Sequence, residues 1–160
     1  MSAHHLAARL VMACRARNLT VATAESCTGG LIAGAITEIP GSSAMFSAGF
    51  VTYSNAAKSS MLGVPPGLIA SVGAVSEAVA RRMAIGARKS AGVDLAVSVT
   101  GIAGPDGGSA DKPVGTVWFG VAGPDGEVIT VCKMFDGNRD EVRAASVIYG
   151  LELLLRGAHR

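Results

Sequence analysis

The sequence predicts an α/β fold: a three-layer α/β/α sandwich around a mixed, mostly parallel sheet with one antiparallel hairpin. Three observations lead there. Short apolar segments such as residues 94–100 (DLAVSVT) alternate along the chain with segments of helical periodicity, the pattern of a sheet covered on both faces. Two strand-like segments, 114–122 and 127–135, are separated only by Gly123-Pro124-Asp125-Gly126, a turn that implies an antiparallel pair. The chain has 160 residues, 49% hydrophobic and 16% charged, enough for one core and too few for two comfortable ones. Residues 1–160 are therefore expected to form a single domain.

The elements follow in order. Residues 3–17 read as a helix, with Leu6, Leu10 and Cys14 at i, i+4 and i+8 on one face. Residues 20–25 (TVATAE) read as a strand, and residues 29–39 as a second helix ended by Pro40-Gly41. A strand over 45–53 (MFSAGFVTY) leads to Ser54, which caps a short helix through Met61, stopped by Gly63-Val64-Pro65-Pro66. Ser76 caps a longer helix with Val79, Met83 and Ala87 on one face, and Arg88, Lys89 and Gly92 end it. After the strand at 94–100 comes a 13-residue glycine-rich loop, 101–113, and then the two hairpin strands. Asn138, with Glu141 three residues on, signals a capping box for a last helix that runs to about Arg156 and stops at Gly157.

Composition excludes several classes of function. The net charge of +2 is too small for a nucleic-acid binder, and the pairs Arg81-Arg82 and Arg88-Lys89 read as a solvated helix face. The three cysteines are odd in number with no CxxC pair, which argues against a disulfide framework or a cysteine-rich zinc site and fits a reducing cytosol. Acidic residues do not cluster with histidines at ligand spacing, so no metal is expected. The N-terminus lacks a signal pattern, and no apolar run is long enough to span a membrane. A cytoplasmic protein is expected, without cofactor, nucleic acid or membrane partner; its size suits a homo-oligomer.

Three places carry possible chemistry. In Ala24-Glu25-Ser26-Cys27-Thr28-Gly29-Gly30, a strand passes into a helix. Ser26 can project as a nucleophile, and backbone N–H groups near Thr28, Gly29 and Gly30 can hold an anion or oxyanion. Ser26 or Thr28 can equally be a helix cap. Cys27 is a rival nucleophile, but a packed core residue fits it better, because His4, His5 and His159 lie at the chain ends and offer no partner. The second place holds Tyr53 and Lys58. A serine needs a base, and with no usable histidine a buried lysine, alone or through the tyrosine hydroxyl, can supply one; a surface lysine and a core-edge tyrosine are the plain alternative. The third place is the loop from Thr100 and Gly101 to Gly104 and beyond, at a strand end where α/β sheets bind ligands. It matches neither GxGxxG nor a P-loop. Ser42, in Pro40-Gly41-Ser42-Ser43, is a weaker candidate than a plain turn, and Arg139 can meet a substrate phosphate or a surface partner.

Seven stretches in one order, TAESCTGG (23–30), GSSAMF (41–46), GFVTYSNAAKSSMLGV (49–64), GAVSEAVA (73–80), VSVTGIAGPDGG (97–108), KPVGTVWFGVA (112–122) and GNRDEVR (137–143), resemble the CinA C-terminal domain family, the nicotinamide-nucleotide amidohydrolases. The resemblance implies hydrolysis of nicotinamide mononucleotide to nicotinate mononucleotide and ammonia, with Ser26, Tyr53 and Lys58 as catalytic residues, no required metal and an α/β/α layered fold. Substrate contacts are then expected from Thr28, Gly29, Gly30, Ser42, Thr100, Gly101, Gly104 and Arg139. Longer relatives join this domain to an N-terminal partner; this chain is similar to the stand-alone form. A non-catalytic partner-binding module, or an amidohydrolase with another substrate, is the competing reading.

Overall fold

The computed structural model describes residues 1–160. Eleven regular elements follow one another: α1 Ala3–Arg17, β1 Val21–Glu25, α2 Leu31–Thr37, β2 Phe46–Val51, α3 Asn55–Leu62, α4 Pro66–Val72, α5 Glu77–Ala91, β3 Leu95–Gly101, β4 Thr116–Ala122, β5 Val128–Met134 and α6 Arg139–Ala158. A short 3₁₀ turn, Ser42–Ala44, precedes β2. The five strands form one sheet in the order β2-β1-β3-β4-β5. β1 pairs in parallel with β2 and β3, while β4 pairs antiparallel with β3 and with β5. Four strands therefore run one way and only β4 runs against them, the mixed sheet expected.

The two faces of the sheet differ in side-chain size. Val21, Leu95, Val97, Val99, Val117, Phe119 and Val121 join α1, α2 and α6 in a large core. The opposite face presents Ala22, Ala24 and Ala96 to α3, α4 and α5. Small residues let α5 ride close to the sheet: Ser98 Oγ donates to the Ala80 carbonyl at 2.6 Å, and a Cβ on Gly120 would lie 2.6 Å from that same oxygen. Each fully buried Val, Leu or Phe stabilises the fold by roughly 1.5–3 kcal/mol, so the α1/α6 side carries most of the hydrophobic driving force. β1 is buried along its whole length, whereas the edge strand β2 alternates half-buried and exposed residues.

The helix ends obey their sequence signals with informative exceptions. Ser54 and Ser76 cap α3 and α5 by accepting from the N–H groups of Ala57 and Val79, and Gly92 ends α5 in the left-handed region. The capping box opens α6, with Glu141 N–H donating to Asn138 Oδ1 and Asn138 N–H donating to Glu141 Oε1. α6 runs past Gly157 because that glycine packs on Leu95 rather than capping: a Cβ there would lie 2.7 Å from Leu95 Cδ1. α2 starts only at Leu31, since Gly29 and Gly30 both take positive φ and cannot be helical. α4 was not expected. Gly63-Val64-Pro65-Pro66 does end α3, but Pro66 also starts a new helix, because proline at the first helical position gives up no hydrogen bond. No helix is long and apolar enough to cross a membrane.

Candidate active site

The chain ends of the three mutually parallel strands meet at one edge of the sheet. Ser26 follows β1, Thr52 and Tyr53 follow β2, and Ile102–Gly107 follow β3. This is where open α/β sheets gather ligand-binding groups. A cavity of about 270 Å³ opens there, lined by Ser26, Cys27, Tyr53, Lys58, Thr100, Gly101, Gly104, Asp106 and Arg139 among others. A larger groove of about 740 Å³ runs between α3 and α4, but its lining, from Asn55 and Ser59 to Pro65 and Ile69, has no charged or basic group. The side chains able to act as nucleophile, base or charge partner line the smaller space.

Ser26 is fixed by the extension of β1 alongside β3: its N–H donates to the Val99 carbonyl at 3.0 Å. Lys58 projects inward from α3, one turn after the Ser54 cap, and only 1% of it is exposed. Its Nζ lies 3.0 Å from Ser26 Oγ, 2.9 Å from the Thr52 carbonyl oxygen and 3.3 Å from the Tyr53 carbonyl oxygen. No carboxylate pairs with it. Burial without a counter-ion lowers the Lys58 pKa from its ordinary value, since desolvation penalises the ammonium form. In its neutral form the amine would keep two N–H groups for the two carbonyls and offer its lone pair to the Ser26 hydroxyl. That is the arrangement a general base for serine requires.

Cys27 sits in the same turn but is buried, and burial pushes its thiol up to about 11. It stays protonated near neutral pH and is a packed residue, as its surroundings in the sequence suggest. Its carbonyl accepts from Arg143 Nε at 3.0 Å, a strut from α6. One turn earlier on α6, Arg139 donates from Nη1 to the Gly104 carbonyl at 2.9 Å and from Nη2 to the Tyr53 hydroxyl at 3.2 Å. The Tyr53 side chain is 63% exposed at the cavity mouth, and its hydroxyl bonds to neither Ser26 nor Lys58. The lysine reaches the serine directly, and Tyr53 touches Lys58 through its carbonyl.

The other residues singled out from the sequence divide. Gly101 and Gly104 line the cavity; Thr100 does too, although its Oγ1 is committed to the Ala74 carbonyl at 3.0 Å. Thr28 is fully buried, with Oγ1 donating to Glu25 Oε1 at 2.7 Å. Gly29 lies beneath Arg143 and Gly30 against Val51, and neither lines the cavity. Ser42 lies at the opposite end of the sheet, in the turn whose Met45 carbonyl accepts from Val21 N–H at the start of β1. Pro40-Gly41 closes α2 and feeds β2, so its loop belongs to the edge where strands begin, away from the ligand end.

The start of α2 is not open to an anion either. The Glu25 carboxylate accepts from Ile32 N–H at 2.9 Å and Ala33 N–H at 3.0 Å, taking the donors an N-terminal helix turn leaves free. Sequence reasoning overlooked Glu25. The clue was present, because Gly30 at the N-cap has no side chain with which to cap. In the serine turn the N–H groups of Cys27, Thr28 and Gly30, and in the loop those of Ala103, Gly104, Asp106 and Gly107, donate to no other residue.

The model of the CinA C-terminal domain matches residues 3–157. The chain is 56% identical over 153 residues to the nicotinamide-nucleotide amidohydrolase PncC of Enterobacter agglomerans, covering 96% of this chain and 93% of that one. It is 56% identical over 149 residues to the protein of the same name from Escherichia coli strain K12, covering 93% and 90%. The crystal structure of the competence/damage inducible protein CihA from Agrobacterium tumefaciens superposes with a TM-score of 0.95 at 47% identity, covering 99% of this chain and 96% of that one. The chain belongs to the CinA C-terminal domain family.

Proposed function

We propose that this chain hydrolyses the carboxamide of nicotinamide mononucleotide, releasing ammonia and nicotinate mononucleotide, with Ser26 as nucleophile and Lys58 as its base. The observation that carries the reading is the 3.0 Å contact between Ser26 Oγ and a buried Lys58 that has no carboxylate partner. The relatives named nicotinamide-nucleotide amidohydrolase supply the substrate class.

Neutral Lys58 takes the Ser26 proton as the oxygen attacks the carboxamide carbon. The oxyanion forms beside the free Cys27 N–H, the position that the residue after a nucleophile commonly serves; such a donor is typically worth roughly 3 kcal/mol. Protonated Lys58 then gives its proton to the departing nitrogen, the C–N bond breaks, and ammonia leaves an ester on Ser26. Lys58, neutral again, deprotonates a water that attacks the ester. The carboxylate product leaves and Ser26 recovers its proton. The positive pyridinium ring makes the carboxamide carbon more electrophilic. Arg139 and the free N–H groups of residues 103–107 suit the substrate phosphate, and Tyr53, held by Arg139, flanks the entrance.

The purified protein, given nicotinamide mononucleotide and separately free nicotinamide, is expected to release ammonia from the nucleotide and much less from the base alone. An absence of ammonia from the nucleotide contradicts the substrate assignment.

A further inference from the structure

Glu25 is the one fully buried carboxylate in the chain and the residue immediately before the nucleophile. Only 1% of it is exposed, and no cation pairs with it. Burying a charge this deeply is costly unless hydrogen bonds compensate, and here three do. Oε1 accepts from Thr28 Oγ1 and Ile32 N–H, and Oε2 from Ala33 N–H. The carboxylate thus ties the far end of the serine turn and the first turn of α2 to the end of β1. The main chain of the same residue faces the other way. Its carbonyl accepts from Thr52 N–H at 2.9 Å, and the Thr52 carbonyl accepts from Lys58 Nζ. One residue therefore fixes both sides of the Ser26–Lys58 pair: the base through Thr52, the turn bearing the free Cys27 N–H through Thr28.

We propose that Glu25 is a positioning residue for this reaction, its carboxylate holding the Ser26–Thr28 turn so that the Cys27 N–H faces the developing oxyanion while Ser26 stays on Lys58. The proposal rests on the assignment of Ser26 as nucleophile. The requirement is for an acceptor on both oxygens. Glutamine at this position has the same size but turns an NH₂ either toward Ala33 N–H or toward Thr28 and Ile32, so it keeps the volume and loses at least one of the three bonds to a donor–donor contact.

The test uses the intact protein and two readouts: the rate at which an alkyl fluorophosphonate labels Ser26, located by peptide mass spectrometry, and ammonia release from nicotinamide mononucleotide. Glu25→Gln is expected to slow labelling and kcat by about 10- to 100-fold, with KM within about threefold and the pH at which activity rises, set by Lys58, unmoved. A purely architectural role would move melting temperature, KM and the pH profile together. Labelling of Glu25→Gln at the wild-type rate overturns the proposal. If Glu25→Gln does not fold, Thr28→Val decides, since it removes only the Thr28 arm: slower labelling in a folded protein supports the proposal, unchanged labelling overturns it. Wild-type protein that labels on Ser26 without releasing ammonia refutes the substrate and leaves Glu25 judged on labelling alone. Wild-type protein that does not label on Ser26 overturns both.

Discussion

At the scale of single residues, the proposed mechanism needs a lysine whose burial disfavours its charged form, so that the free amine is available at lower pH. Its pKa is lowered, so kcat/KM should rise with pH through a value below the ordinary 10.5 of lysine. Lys58→Met should abolish turnover by about 10²- to 10⁴-fold, the usual worth of a positioned acid–base group. The same substitution reports on stability. Between the lowered folded pKa and 10.5 the unfolded chain binds the extra proton, so wild-type stability gains with rising pH as the penalty for burying the ammonium is relieved. The buried thiols Cys14 and Cys27, raised to about 11, act oppositely above their ordinary value of 9.0, where the unfolded thiols ionise first. Cys14 is common to both proteins and cancels in the difference, and below 9.0 neither thiol contributes. Urea midpoints of wild type and Lys58→Met across pH 7 to about 10 should therefore converge in favour of wild type as pH rises; parallel curves would mean that Lys58 is not desolvated. Arg139 acts on binding rather than chemistry. Arg139→Met should raise KM for the nucleotide about tenfold with a smaller change in kcat, and steady-state kinetics would reveal the reverse pattern if the arginine served the transition state. The sequence singles out Ser26 and Lys58 because no usable histidine is present, but it leaves a helix cap and a surface lysine as alternatives until the family resemblance favours the catalytic reading. Thr28, Gly29, Gly30 and Ser42 do not line the cavity, because nearness in sequence says nothing about which way a side chain or N–H faces.

At the scale of elements, the active site depends on how α3 is seated. Gly86 of α5 lies against the last turn of α3, and a Cβ there would fall on the Leu62 carbonyl. Backbone cannot yield as a side chain can. Gly86→Ala should cost roughly 1–3 kcal/mol by overpacking and, by pushing α3, displace Lys58 from Ser26. A fall in both urea midpoint and activity is expected; a variant with wild-type stability would show that the helices separate freely. Asn138 plays the corresponding part for α6. Its capping box orders the turn carrying Arg139, with Arg143 one turn on. Most helices were readable from caps and periodicity. The exception, α4, was hidden because proline is both a common terminator and a good first residue, and only packing of Ile69 in the smaller core decides between them. The start of α2 was blurred for a related reason. Glycine pairs are compatible with a helix start in sequence, but here both take positive φ so that the chain can turn under Arg143.

At the scale of the molecule, fold and site are one consequence of strand direction. Because β1, β2 and β3 all run the same way, the loops after them converge, and Ser26, the carbonyls that hold Lys58 and the glycine-rich loop arrive at one edge. The sequence revealed the layers and the hairpin through alternation and turn signals. It did not reveal the strand order, which depends on long-range pairing, nor that Glu25 closes the helix start often credited with anion binding. The molecule presents two adjacent candidate nucleophiles, Ser26 on Lys58 and Cys27 in the core, and the account requires only the first. Ammonia release from nicotinamide mononucleotide should fall by about 10³-fold or more in Ser26→Ala and stay within a few-fold of wild type in Cys27→Ala. Retained turnover in Ser26→Ala, or its loss in a folded Cys27→Ala, would contradict the serine mechanism.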